Sequence, residues 1–152
     1  MTVHSIVVAF DGSPESIAAS TEAAEIARVQ KARLTIVGVV SLVSRGFGVT
    51  LPTAEGVERT LEASRTALAA EKSRLEKLGV PGVETHLLEG DPVAGVVGFV
   101  DKNSIDLIVV GSRGLDALGR FFLGSVSDGI LHYSKCSVLV VKTPPAGKKA
   151  RS

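Results

Sequence analysis

Three glycines and two arginines have the types and spacing with which a backbone can be drawn around a phosphate. In "VVGSRGLDALGRFFLGSVSDGILHYSK", residues 109–135, Gly111, Gly114 and Gly124 follow an apolar run and lead into a helical pattern. Two readings are open. A strand-to-helix elbow commonly calls on glycine for its freedom at positive φ. The alternative is a phosphate loop, because "LDALGRFFL" between Gly114 and Gly124 is longer than a minimal turn and has room to wrap a ligand. Gly124 and Ser125 then open a helix, where unpaired N–H groups and the dipole favour an anion. Ser125 suits a plain N-cap equally well. Arg113 and Arg120 add positive charge, as binding groups or as solvated surface residues. A further candidate, Asp11 in "DGSPES", is either a ligand contact or a turn residue that accepts hydrogen bonds from the next backbone N–H groups.

Five apolar, β-branched runs and four helical patterns have to position these residues. "SIVVAF" (5–10), "LTIVGVV" (34–40), "VETHLL" (83–88), "IDLIVV" (105–110) and "SVLVVK" (137–142) read as strands. Four are nearly continuous in apolar residues, as expected for strands covered on both faces. "VETHLL" alternates and so predicts an edge. Ser13 and Pro14 open a first helix through residue 30, by side-chain capping and by a proline where no N–H is required. The longest helix spans about 54–78, with Val57, Leu61, Leu68, Leu75 and Leu78 on one face, and Gly79 and Pro81 end it. "PVAGVVGFVDK" and "SVSDGILHYSK" complete the set. Strict alternation implies an α/β fold with a single parallel sheet and right-handed crossovers. Ligands of such sheets bind beyond the carboxyl ends of the strands, where the strand order reverses. That rule selects the loops after the first and fourth strands, which carry Asp11 and the glycines.

Composition narrows the classes. The chain has 152 residues and a net charge of +1, so it fits one domain and has no field that gathers nucleic acid or an anionic membrane. No apolar run reaches the ~20 residues of a membrane span, and Met1–Phe10 lacks signal-peptide features, which predicts a cytoplasmic protein. Without Trp and with one Tyr, it lacks the stacking platforms of single-strand readers. Cys136, His4, His86 and His132 have no spacing typical of zinc. There is also no G-x-x-x-x-G-K-[ST] and no G-x-G-x-x-G after a strand, so backbone N–H groups must do most of any phosphate holding.

Gly111, two residues, Gly114, nine residues, Gly124 and Ser125 resemble the Gly-2x-Gly-9x-Gly-[Ser/Thr] signature of the universal stress protein family. "DGSPES", "GDP" at 90–92 and the terminal "VLVVK" are similar to that family as well, and the resemblance covers about residues 3–143. It implies a Rossmann-like five-stranded parallel sheet in the order 3-2-1-4-5, helices on both faces, a homodimer and ATP binding. Carried over, Asp11 would contact ribose and adenine, the Val39 backbone the adenine edge, and Gly111 the ribose. Arg113, Gly114, Gly124, Ser125 and Val126 would surround the phosphates. Two departures stand out. Phe10 replaces a small or polar residue before Asp11, which narrows the adenine pocket, and Ser137 replaces a proline before "VLVV". The expected ligand is ATP carrying Mg²⁺ or Mn²⁺ on its phosphate oxygens, which are hard ligands.

Two rival functions have less support. A phosphoacceptor receiver domain needs several carboxylates around a metal, but only Asp11 follows strand one, and Asp91 reads as the start of the next helix. An ATP-hydrolysing or adenylyl-transferring enzyme would need a placed base or nucleophile, and no spacing supplies one. The favoured function is a nucleotide-linked binding module of the stress response, with at most slow hydrolysis. Strand five, 137–142, lacks charge or proline before Lys142 and predicts a homodimer through paired edges. Residues 144–152 read as a mobile basic tail behind a domain at 1–143. The loop 41–56, with Gly46 and Gly48, reads as either a surface insertion or a cover for the nucleotide.

Overall fold

The structure, a computed structural model, describes residues 1–42, 53–113 and 123–143. The expectations placed on the tail 144–152, on Gly114 and Arg120, and on most of the loop 41–56 lie outside the described residues. In chain order the elements are β1 (Ser5–Ala9), α1 (Pro14–Gln30), β2 (Arg33–Val40), α2 (Ala54–Lys77) and β3 (Glu84–Glu89). They continue with α3 (Pro92–Asn103), β4 (Leu107–Gly111), α4 (Ser125–Tyr133) and β5 (Ser137–Val141).

All strands pair in parallel, in the order β3-β2-β1-β4-β5. Ile6 of β1 lies opposite Leu34 of β2 on one side and Leu107 of β4 on the other. Consecutive residues of the central strands therefore enter two separate cores. Ile6, Val8, Leu34, Ile36, Leu107 and Val109 pack with α1 and α2, whereas Val7, Val37, Ile108 and Val110 pack with α3 and α4. Each fully buried Val, Leu or Ile contributes about 1.5–3 kcal/mol, so both faces of the central strands are strongly specified. The edge strands differ, since no residue of β3 or β5 is fully buried.

Helix α1 can lie close to the sheet because its inner face is small: Ser16, Ala19, Ser20, Ala23, Ala24 and Ala27 are buried. Beside it on the same face of the sheet lies α2, which packs on β2 and β3 and in which Leu61, Leu68 and Leu75 are buried as the spacing predicts. Leu78 departs from that expectation. It is 40% exposed, because the helix ends at Lys77 and Gly79 turns the chain away at φ +98°. The same face of α2 carries a charge that periodicity alone reads as solvated. Buried Glu71 accepts hydrogen bonds from Ser20 Oγ and from Arg74, whose Nε lies 3.0 Å away. Arg74 also donates to Thr21 Oγ1 at 2.9 Å, which ties α2 to α1. A buried carboxylate without such donors would cost several kcal/mol.

The helix starts have specific causes. Ser13 Oγ accepts from Ser16 N at 3.2 Å with Pro14 in the first turn, and Asp91 Oδ2 accepts from Ala94 N at 2.9 Å with Pro92 following. Thr53 Oγ1 accepts from Gly56 N at 3.0 Å. Helix α4 starts differently. Its N-cap is Gly124, not Ser125, and no side chain among the described residues caps it.

Candidate functional site

The carboxyl ends of β1 and β4 diverge at the switch in strand order and leave a crevice of about 490 Å³. Asp11, Val39, Gly111, Arg113, Gly124 and Val126 line it. These are six of the eight residues expected from the sequence. Gly114 lies outside the described residues. Ser125 is exposed at the first position of α4, whereas Ser127, two residues further in, lines the crevice and donates to the Gly124 carbonyl at 3.0 Å.

Asp11 occupies one end. Its Oδ1 accepts from Ser13 N at 2.9 Å, while its own N–H donates to Ser16 Oγ at 3.4 Å. Ser16 Oγ in turn donates to the Ser13 carbonyl at 3.0 Å, so the turn and the first turn of α1 form one hydrogen-bonded unit. The turn-residue reading of Asp11 is therefore realised, and it fixes the carboxylate at the crevice. Partial burial opposes its ionisation, but hydrogen bonds from the Ser13 hydroxyl and N–H, and from Ser16, outweigh that and hold the carboxyl below the usual aspartate value. Asp11 is an anion at neutral pH.

Positive potential gathers at the other end. Among the described residues no side chain caps the N-terminus of α4, which presents its first N–H groups and the positive end of its dipole there. Arg113 joins it: a Cβ built on Gly124 would overlap Arg113 Cγ and lie 3.0 Å from Nε, so the arginine stem rests directly on that glycine. Valines 39, 96 and 126 and Phe10 give the crevice apolar walls between the two ends. A ligand with a flat apolar centre, a hydrogen-bonding head and an anionic tail fits this polarity.

The two described glycines of the motif have different reasons to be glycine, and neither is positive φ. A Cβ on Gly111 would stand 2.5 Å from the Glu15 carbonyl oxygen, so this position lets the first turn of α1 touch the tip of β4. At Gly124 φ is −69° and ψ 164°, open to any residue, and the three described atoms nearest to an added Cβ all belong to the Arg113 side chain.

Sequence reasoning missed Ser112. It is 2% exposed and lines the crevice, and its hydroxyl has no hydrogen-bond partner among the described residues. Its N–H, however, donates to the Val141 carbonyl at 2.9 Å. The only available signal was its place between Gly111 and Arg113. A second cavity, of about 500 Å³, lies toward α2 and shares Phe10, Asp11 and Val39 with the first. Among the described residues no three His, Cys, Asp or Glu side chains gather to hold a metal, and no helix is long and apolar enough to cross a membrane.

A doubly wound parallel sheet with an open crevice at the switch point, where an anchored carboxylate faces the start of a helix, places the chain in the Rossmann-like α/β class. Residues 2–142 match the universal stress protein family, and the chain belongs to that family. A universal stress protein of Methanocaldococcus jannaschii is 39% identical over 144 residues, 91% of this chain and 82% of the relative. A universal stress protein crystallised in complex with cAMP is similar in structure with a TM-score of 0.73 and 27% identity, covering 93% of this chain and 98% of its own. The universal stress protein of Archaeoglobus fulgidus in complex with dAMP has a TM-score of 0.69 and 26% identity, covering 93% and 100%.

Proposed function

We propose that this chain binds an adenine nucleotide, ATP with Mg²⁺ or Mn²⁺ on its phosphates, and acts as a nucleotide-linked binding or signalling module. The observation that carries the reading is the polarity of the crevice. Apolar walls and the anchored Asp11 suit a nucleoside, and the uncapped α4 N-terminus beside Arg113 suits phosphate. In this assignment Asp11 and the Val39 backbone meet the nucleoside and Gly111 lies under the ribose. Arg113, Gly114, Gly124, Ser125 and Val126 hold the phosphates. The metal rides on phosphate oxygens, since the described residues offer no cluster of their own for it. Relatives of similar fold complexed with cAMP and dAMP support the adenine preference, and favour a monophosphate as the second reading.

Among the described residues of the crevice no nucleophile is hydrogen-bonded to a histidine or lysine base, and in this reading the protein binds its nucleotide with slow turnover at most. The module works as a homodimer in this reading. Edge strand β5 presents Val138 and Val140 on one face and Leu139 and Val141 on the other, half-buried, and antiparallel pairing about a two-fold axis closes both edges. Mass spectrometry of the ligand that co-purifies with the native protein tests the nucleotide assignment. ATP supports it, AMP or cAMP moves it to the second reading, and a nucleotide-free protein that also fails to take up added ATP refutes both.

A further inference from the structure

The contact between Gly124 and Arg113 reaches past the general reading of a glycine loop. Gly124 has an unstrained backbone, and its neighbours on the side where a Cβ would project are Cγ, Cδ and Nε of Arg113. The arginine stem therefore crosses the Gly124 Cα along its length, from Cγ to the edge of the guanidinium. Helices α1, α2 and α3 each carry a side-chain cap, at Ser13, Thr53 and Asp91. Only at α4, among the described helices, is that place taken by a residue with no side chain, and an arginine lies over it. A cation at the positive end of a helix is repelled rather than held by the dipole, so packing on Gly124 has to keep it there. The arrangement becomes favourable once an anion lies between the guanidinium and the free N–H groups, since both then donate to it.

We propose that Gly124 is a positioning residue that acts through Arg113. Its missing side chain is the seat on which the arginine stem lies, and the seat sets the guanidinium at the phosphate end of the crevice. The inference rests on the nucleotide reading, and it differs from the view that Gly124 is needed so that the ligand itself can approach the backbone. Seated in this way, Arg113 discriminates nucleotides from nucleosides, and Gly124 matters only as long as Arg113 is present.

A double-mutant cycle over Arg113→Ala and Gly124→Ala tests this, with ATP–Mg²⁺ and adenosine titrated into each protein by calorimetry and folding followed by circular dichroism. Alanine fits the φ and ψ of Gly124, so all four proteins are expected to fold. Each single change should weaken ATP by about tenfold to a hundredfold, the range for a charge-assisted hydrogen bond, and leave adenosine within about twofold. The double variant should bind ATP no more weakly than Arg113→Ala alone. Losses that multiply in the double variant, or an equal loss for adenosine, would overturn the seat and leave the nucleotide reading standing. A readout without nucleotide is the Arg113 Nε–Hε resonance. It should be ordered in the native protein and mobile in Gly124→Ala, and equal mobility in both contradicts the proposal.

Discussion

Replacing Gly111 by alanine would put a methyl carbon 2.5 Å from the Glu15 carbonyl oxygen and 2.7 Å from its carbonyl carbon. Carbon and carbonyl oxygen in contact lie about 3.3–3.6 Å apart, so roughly 1 Å of movement is required. The obstacle is backbone, in the first turn of α1, and that turn is fixed to Asp11 and Ser13 by hydrogen bonds and to the core by Ser16 and Ala19. Overpacking of this kind costs about 1–3 kcal/mol. For a chain of this size each kcal/mol lowers Tm by about 2–4 °C, so a fall of roughly 2–12 °C is expected. At Gly124→Ala the nearest described atoms belong to a movable side chain, so the change should cost less than about 1 kcal/mol, mostly as a poorer N-cap. Urea unfolding followed by circular dichroism measures both, with a lower midpoint and an unchanged slope for Gly111→Ala. A Gly111→Ala protein as stable as the native one, or less perturbed than Gly124→Ala, refutes this division of roles.

Asp11→Ala should weaken adenosine and ATP by a similar factor, because its assigned contacts are to the nucleoside; a loss confined to ATP would move Asp11 to the phosphate end. Hydrogen bonds depress the Asp11 carboxyl, so its stabilising contribution is complete above the unfolded value of about 3.9 and is lost as pH falls through the lower folded value. Asp11→Asn should therefore flatten the stability profile only in that acid range, and unfolding midpoints that keep the native acid slope contradict the assignment. Val140→Lys places a charge on the β5 edge and should yield a monomer with nucleotide affinity nearly intact, as read by light scattering; a monomeric native protein at micromolar concentration removes the dimer.

What the sequence revealed follows from which forces are local. The strands of the sheet announce themselves by continuous apolar runs, and β3 by its alternation. Ser13–Pro14 and Asp91–Pro92 mark helix starts because capping and proline act within three residues. The length of α2 was legible, but Leu78 was placed on the wrong side of its stop, since one residue decides where the chain turns. The site was legible as a set of loops, because the switch-point rule depends only on topology. The reason for each glycine was hidden. Gly111 is explained by Glu15, almost a hundred residues earlier in the chain, and Gly124 by the direction of an arginine side chain. The buried Glu71 was equally hidden, although its place between Leu68 and Leu75 on the inner face of α2 was a usable signal. Ser112 had none beyond its neighbours.

The most direct test of the whole account is a calorimetric titration of the native protein with ATP–Mg²⁺, ATP with EDTA, and adenosine. One site per chain is predicted, with ATP–Mg²⁺ the tightest, ATP with EDTA weaker, and adenosine weaker still for want of the phosphates that Arg113 and the α4 N-terminus receive. Absence of saturable heat with every one of these ligands, or adenosine binding as tightly as ATP–Mg²⁺, would contradict it.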